Sequence, residues 1–124
     1  MDRKRIGQIG EDIAAQYLIE KGFRIIERNY QKRIGEIDIV TMIKNVIVFF
    51  EVKTTSAAYS STFLPEQHVN AQKANKLRKI CEYYLSEKRY GLDWQWRIDV
   101  IGVTINTDKK RAYVRHFENQ IFEC

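Results

Sequence analysis

Gly35-Glu36-Ile37-Asp38-Ile39-Val40-Thr41-Met42-Ile43, Lys44-Asn45, Val46-Ile47-Val48-Phe49-Phe50-Glu51-Val52-Lys53-Thr54 is the stretch whose reading decides the fold. Two runs of β-branched and aromatic residues flank a polar pair whose Asn tolerates positive φ, the pattern of a β-hairpin. A two-residue turn at Lys44-Asn45 sets Ile43 opposite Val46. Counting outward, Asp38 then faces Glu51 and Glu36 faces Lys53. With side chains alternating at period two, these four charged residues share one face at the open end of the ribbon.

The other face carries Ile37, Ile39, Ile43, Val46, Val48, Phe50 and Val52, broken only by Thr41. Further in, the charged face is apolar too, with Val40, Met42, Ile47 and Phe49. A strand pair apolar on both faces belongs at the centre of a sheet covered on both sides. The carboxylates therefore lie where a buried sheet runs out, and carboxylates opposed across strands repel. Either a divalent cation with oxygen ligands compensates them, or Lys53 neutralises them in a salt-bridged cluster.

Outward from the hairpin, helical spacing of Ile6, Ile9, Ile13, Tyr17 and Leu18 predicts a helix over about 6–21, stopped by Gly22. Glu11 falls at the margin of that stripe and can lean over the surface on which the helix packs. Gly7 and Gly10 near the same face are costly in a helix unless backbone approaches something closely. Residues 23–30 read as a strand and Gln31 to Ile34 as a polar turn. Arg28, Lys32 and Arg33, with Arg24, add positive charge there, suited to phosphates or simply to a solvated surface.

Beyond Lys53, residues 54–65 read as a loop ending in the only proline, with Tyr59 and Phe63 as aromatics able to stack on bases or anchor the loop. A second helix, from 69 or 70 to 88, buries Ala74, Leu77, Ile80, Cys81, Tyr84 and Leu85. It gathers Lys73, Lys76, Arg78 and Lys79 in its first half, where cations oppose the helix dipole and an anionic partner would suit them. Strands follow at 94–103 and 112–117. The order αβββαββ requires a crossover, hence an α/β fold with a mixed central sheet and a helix on each face.

The 124 residues fit a single domain, residues 1–124, and 44% hydrophobic with 30% charged residues is a globular composition. A net charge of +5 and a pI near 9.2 favour anionic partners, nucleic acid first. No apolar run approaches the roughly 20 residues of a membrane span, and Glu11 and Asp12 interrupt any signal-peptide core, so the expected location is cytoplasmic without membrane attachment. Cys81, Cys124, His68 and His116 stand apart from one another, which argues against a zinc site or a disulfide framework.

Taken together, the segments 7–14, Arg28-Asn29-Tyr30, 35–40, Phe50-Glu51-Val52-Lys53-Thr54, Lys73 with Lys76-Leu77, Arg97-Ile98-Asp99-Val100 and His116-Phe117-Glu118-Asn119 resemble the YraN-type bacterial proteins. That resemblance implies a restriction-endonuclease-like fold related to archaeal Holliday-junction resolvases. It implies a metal-dependent DNA endonuclease, using Mg²⁺ or Mn²⁺ on branched DNA and acting as a homodimer. Asp38 matches the metal-binding aspartate, Glu51 and Lys53 the acid and lysine of the D…ExK signature, and Glu11 the helical glutamate that resolvase-like members add. Lys73 matches a recurrent family lysine. The family commonly has an arginine two residues after the signature lysine, where this chain has Thr55. The alternative expectation is a nuclease-fold module that binds nucleic acid without cutting it.

Overall fold

The computed structural model describes residues 2–56, 71–91 and 93–119. The expected order αβββαββ is the observed one: α1 Arg3–Glu20, β1 Arg24–Lys32, β2 Gly35–Ile43, β3 Val46–Ser56, α2 Ala71–Glu87, β4 Trp96–Asn106 and β5 Arg111–Phe117. Helix α1 starts nearly a turn before its apolar stripe because Asp2 caps it, accepting the Arg5 N–H at 2.8 Å. It stops at Gly22, whose φ of 97° suits glycine.

The five strands form one sheet in the order β1-β2-β3-β4-β5, antiparallel except for the parallel β3–β4 pair that α2 bridges. Helix α1 packs Ala14 and Leu18 onto Phe23, Ile39, Val48, Phe50, Ile101 and Val103. On the other face, α2 packs Leu77, Ile80 and Tyr84 onto Tyr30, Ile37, Val40, Ile47, Phe49, Ile98 and Val100. The sheet is therefore an α/β sandwich filling, apolar on both sides as its composition demands. Thr41 interrupts the stripe at little cost, because its buried hydroxyl donates to the Val48 carbonyl at 3.0 Å. Among the described residues, no helix is long and apolar enough to cross a membrane.

The hairpin turn is as read. Lys44 and Asn45 both take positive φ, 48° and 64°, and pairing runs from Ile43↔Val46 to Ile39↔Phe50. There the ladder ends. The expected Asp38–Glu51 and Glu36–Lys53 cross-strand pairs lie outside it, because β3 continues along β4 as far as Ser56↔Ile105 while β2 parts from it. Where the strands part, Ile37 joins the core beneath α2 instead of sharing the α1 face with Ile39. Residues 54–56, expected in a loop, are strand, since β4 supplies the backbone partners that their small polar side chains do not specify. The remaining loop residues, Tyr59 and Phe63 among them, lie outside the described residues.

Candidate functional site

The divergence of β2 from β3 builds the site. Val52 N–H, past the end of the ladder, donates to Asp38 Oδ2 at 2.7 Å. This hydrogen bond holds the carboxylate between the separating strands. Asp38 lines a cavity on each face of the sheet. The larger, about 600 Å³, lies beneath the N-terminal half of α1 and is bounded by Glu11, Asn29, Glu36, Thr54 and Thr55 among others. The smaller, about 210 Å³, lies beneath α2 and includes Glu36, Glu51, Lys73 and Lys76.

Burial pushes the Asp38 carboxyl up to about 7, and the Glu51 carboxylate pushes it the same way, while the Val52 N–H opposes both. Among the described residues, Asp38 forms no salt bridge. Glu51, by contrast, receives two cations on one oxygen: Lys53 Nζ and Lys73 Nζ each lie 3.0 Å from Oε1. Lys53 is the more enclosed, and burial lowers its pKa against the pull of Glu51. The Lys73 ammonium is held up: burial opposes it, but the Lys53 amine and the Glu51 carboxylate outweigh that. Lys53 is thus the easier of the two to deprotonate.

Glu11 does lean over the sheet, and Gly10 shows how closely. A Cβ on Gly10 would fall 2.0 Å from Thr54 Oγ1, so the missing side chain lets α1 settle onto β3. Gly7 meets no such neighbour. Glu11 Oε1 is held by Arg28 Nε and Nη2 at 3.2 and 3.1 Å and by Asn29 Nδ2 at 2.9 Å. Asn29 can do this because it adopts φ 54°, a conformation Asn tolerates and the sequence pattern does not reveal.

The structure therefore gathers Asp38, Glu51, Lys53 and Lys73, sets Glu11 across the larger cavity and places Lys76 at the smaller one. The remaining basic candidates stand away from both cavities. Arg28 is engaged by Glu11 and, at 2.6 Å, by Asp12; Lys32 turns to Glu87; Arg33 is an exposed turn residue.

Residues 10–103 match the model of the uncharacterised protein family UPF0102. The chain belongs to that family. It is 43% identical to a UPF0102 protein of Alkaliphilus oremlandii over 94% of this chain and 97% of that one. It is 40% identical to a UPF0102 protein of Caldanaerobacter subterraneus, over 88% and 87% of the two chains. A third, from Alkaliphilus metalliredigens, is 38% identical over 91% and 96%. The matched span includes Glu11, Asp38, Glu51, Lys53, Lys73 and Lys76.

Proposed function

We propose that this protein is a divalent-cation-dependent endonuclease that hydrolyses phosphodiester bonds in DNA, with branched DNA as its first candidate substrate. The observation that carries this reading is Asp38: a half-buried carboxyl group beside Glu51, held in place by a backbone N–H and facing no cationic side chain at bonding distance among the described residues. An ionised carboxylate in that position calls for a positive partner.

The donor chemistry suits Mg²⁺ or Mn²⁺. Among the described residues, no three His, Cys, Asp or Glu side chains are grouped closely enough to hold a metal unaided. Two hard carboxylates, Asp38 and Glu51, with water and phosphate oxygens completing the shell, are the usual arrangement for Mg²⁺. Glu11 stands across the larger cavity as a further oxygen donor. A bound ion would polarise the scissile phosphate and make a water more acidic.

The chain's own groups do the rest. Lys53, with its lowered proton affinity, takes a proton from the attacking water or orients it. Lys73 keeps its proton and its hold on Glu51, and offers charge to a phosphate at the mouth of the smaller cavity, with Lys76 beside it. Thr55 lines the larger cavity as a neutral hydroxyl. Incubating the purified protein with branched, flapped and linear DNA and Mg²⁺ or Mn²⁺ tests the proposal. Products are expected with wild type and absent with Asp38→Ala and Glu51→Ala; products that persist in either variant refute it.

One observation favours a second reading, a module that binds DNA without cutting it. Both Glu51 and Glu11 already have cationic partners, Lys53 and Lys73 for the one and Arg28 for the other. That reading predicts salt-dependent DNA binding, no metal-dependent product and near-normal binding by Lys53→Ala.

A further inference from the structure

A third cavity, about 470 Å³, opens at the opposite end of the sheet, between the C-terminal end of α1, the β2–β3 turn and the starts of β1 and β4. Lys21, Lys44, Arg97 and His116 line it, with Glu118 as the acid. Val46 on its rim is five residues along β3 from Glu51, roughly 16 Å at ~3.3 Å per residue. This cavity is thus separate from the site of Asp38.

Its centre is built from within. Asp99, fully buried, accepts Arg97 Nε at 3.1 and 3.2 Å, contacts His116 Nε2 at 2.7 Å and accepts the Asn119 N–H at 2.9 Å. His116 is wedged against Phe23 and Phe50, with ring centroids 5.9 and 5.2 Å away. The buried carboxylate therefore fixes the orientation of two side chains on the cavity wall. Arg97 is engaged through Nε only, so among the described residues its two terminal nitrogens have no hydrogen-bond partner. A guanidinium anchored in this way presents its remaining N–H donors as a rigid fork, the geometry that recognises phosphate. Lys21 and Lys44 add two exposed ammoniums with no acidic partner among the described residues, and Lys21 lies 5.5 Å over the Tyr17 ring.

We propose that this cavity binds a phosphate group, with Arg97 as the fork and Lys21 and Lys44 as flanking charges. A lysine already occupies the Tyr17 face, which points to an anion and not a stacked base as the occupant. The same chemistry suits free phosphate or a phosphate of a DNA backbone, and the test separates these sources.

Calorimetric titrations of the 124-residue chain, in chelator, would use inorganic phosphate and a linear DNA duplex as probes. They would compare wild type, Lys21→Ala/Lys44→Ala, Arg97→Lys, and Lys109→Ala/Lys110→Ala, which removes the same charge from the exposed β4–β5 turn. A tenfold or greater loss of phosphate affinity in Lys21→Ala/Lys44→Ala, a severalfold loss in Arg97→Lys and none in the turn variant is the expected result, and identifies free phosphate. The same pattern with the duplex alone identifies the backbone as the source. The two-lysine variant lies on the surface and should melt as wild type does, so the proposal remains testable if Arg97→Lys fails to fold. Equal losses in both two-lysine variants, or no binding of either probe that depends on Lys21 and Lys44, would overturn the proposal.

Discussion

Asp38 Oδ2 accepts the N–H of Val52 at 2.7 Å, a side chain bonding to the backbone of the neighbouring strand just past the point where the two strands cease to pair. This contact places a carboxylate in the split of a sheet covered on both faces, where burial and the Glu51 charge raise its pKa against the pull of the Val52 N–H.

The first prediction concerns pH. Burial and Glu51 raise the Asp38 pKa from 3.8 to about 7, so between those values the folded state holds a proton that the unfolded chain has released. Asp38 therefore contributes stability that is fully present below about pH 3.8 and is lost as pH rises through about 7. Each pH unit in that window removes up to about 1.4 kcal/mol. Denaturant melts in chelator should show Asp38→Asn gaining on wild type steadily from pH 4 to pH 7. Parallel curves would exclude a raised Asp38 pKa.

Lys53 and Lys73 share one oxygen of Glu51, yet they are assigned different roles. Under the proposed mechanism, Lys53→Ala removes the proton acceptor and should lower cleavage by roughly 10²–10⁴-fold with DNA affinity little changed. Lys73→Ala should mainly weaken DNA binding and reduce its salt dependence by about one phosphate contact. Single-turnover cleavage and salt-titrated binding distinguish the two; identical effects on both measurements would contradict the division of roles.

Gly10→Ala places a Cβ 2.0 Å from Thr54 Oγ1 and 2.7 Å from Thr54 Cβ, closer than a shift of one flexible atom relieves. Helix α1 must move off β3, taking Glu11 with it. A cost of about 1–3 kcal/mol is expected from overpacking, partly recovered in Gly10→Ala/Thr54→Ala. Thermal melts of the single and double variants provide the measurement, and an unaffected single variant would show that the contact is looser than described.

Asp99→Ala leaves the Arg97 guanidinium and the Asn119 N–H without their buried acceptor. Removing one partner from a buried ion pair costs about 3–5 kcal/mol, so this variant should melt well below wild type. Asp99→Asn, which keeps an acceptor oxygen, should lose less. Equal melting of the two variants would mean that the charge of Asp99, and not its hydrogen bonding, is what matters.

The sequence by itself determined the elements and their order. Period-two and period-3.6 apolar patterns are local properties of the chain, and the Lys44-Asn45 turn confirmed the hairpin they implied. It also grouped Asp38, Glu51 and Lys53 at one end of that hairpin and marked Gly7 and Gly10 alike as points of close approach, of which only Gly10 is one. Tertiary structure decided the rest. Counting register past Ile39↔Phe50 assumed that the hairpin stays paired, whereas β3 remains with β4 and releases β2, so that Ile37 changes sides and Asp38 bonds to Val52. Competition between strands far apart in sequence leaves no local periodicity to read. The same is true of side-chain partners: Glu11 with Arg28 and Asn29, Glu51 with Lys73, and Asp99 with His116 are separated by 17 to 22 positions, and only the packing of the helices and of β5 brings them within bonding distance.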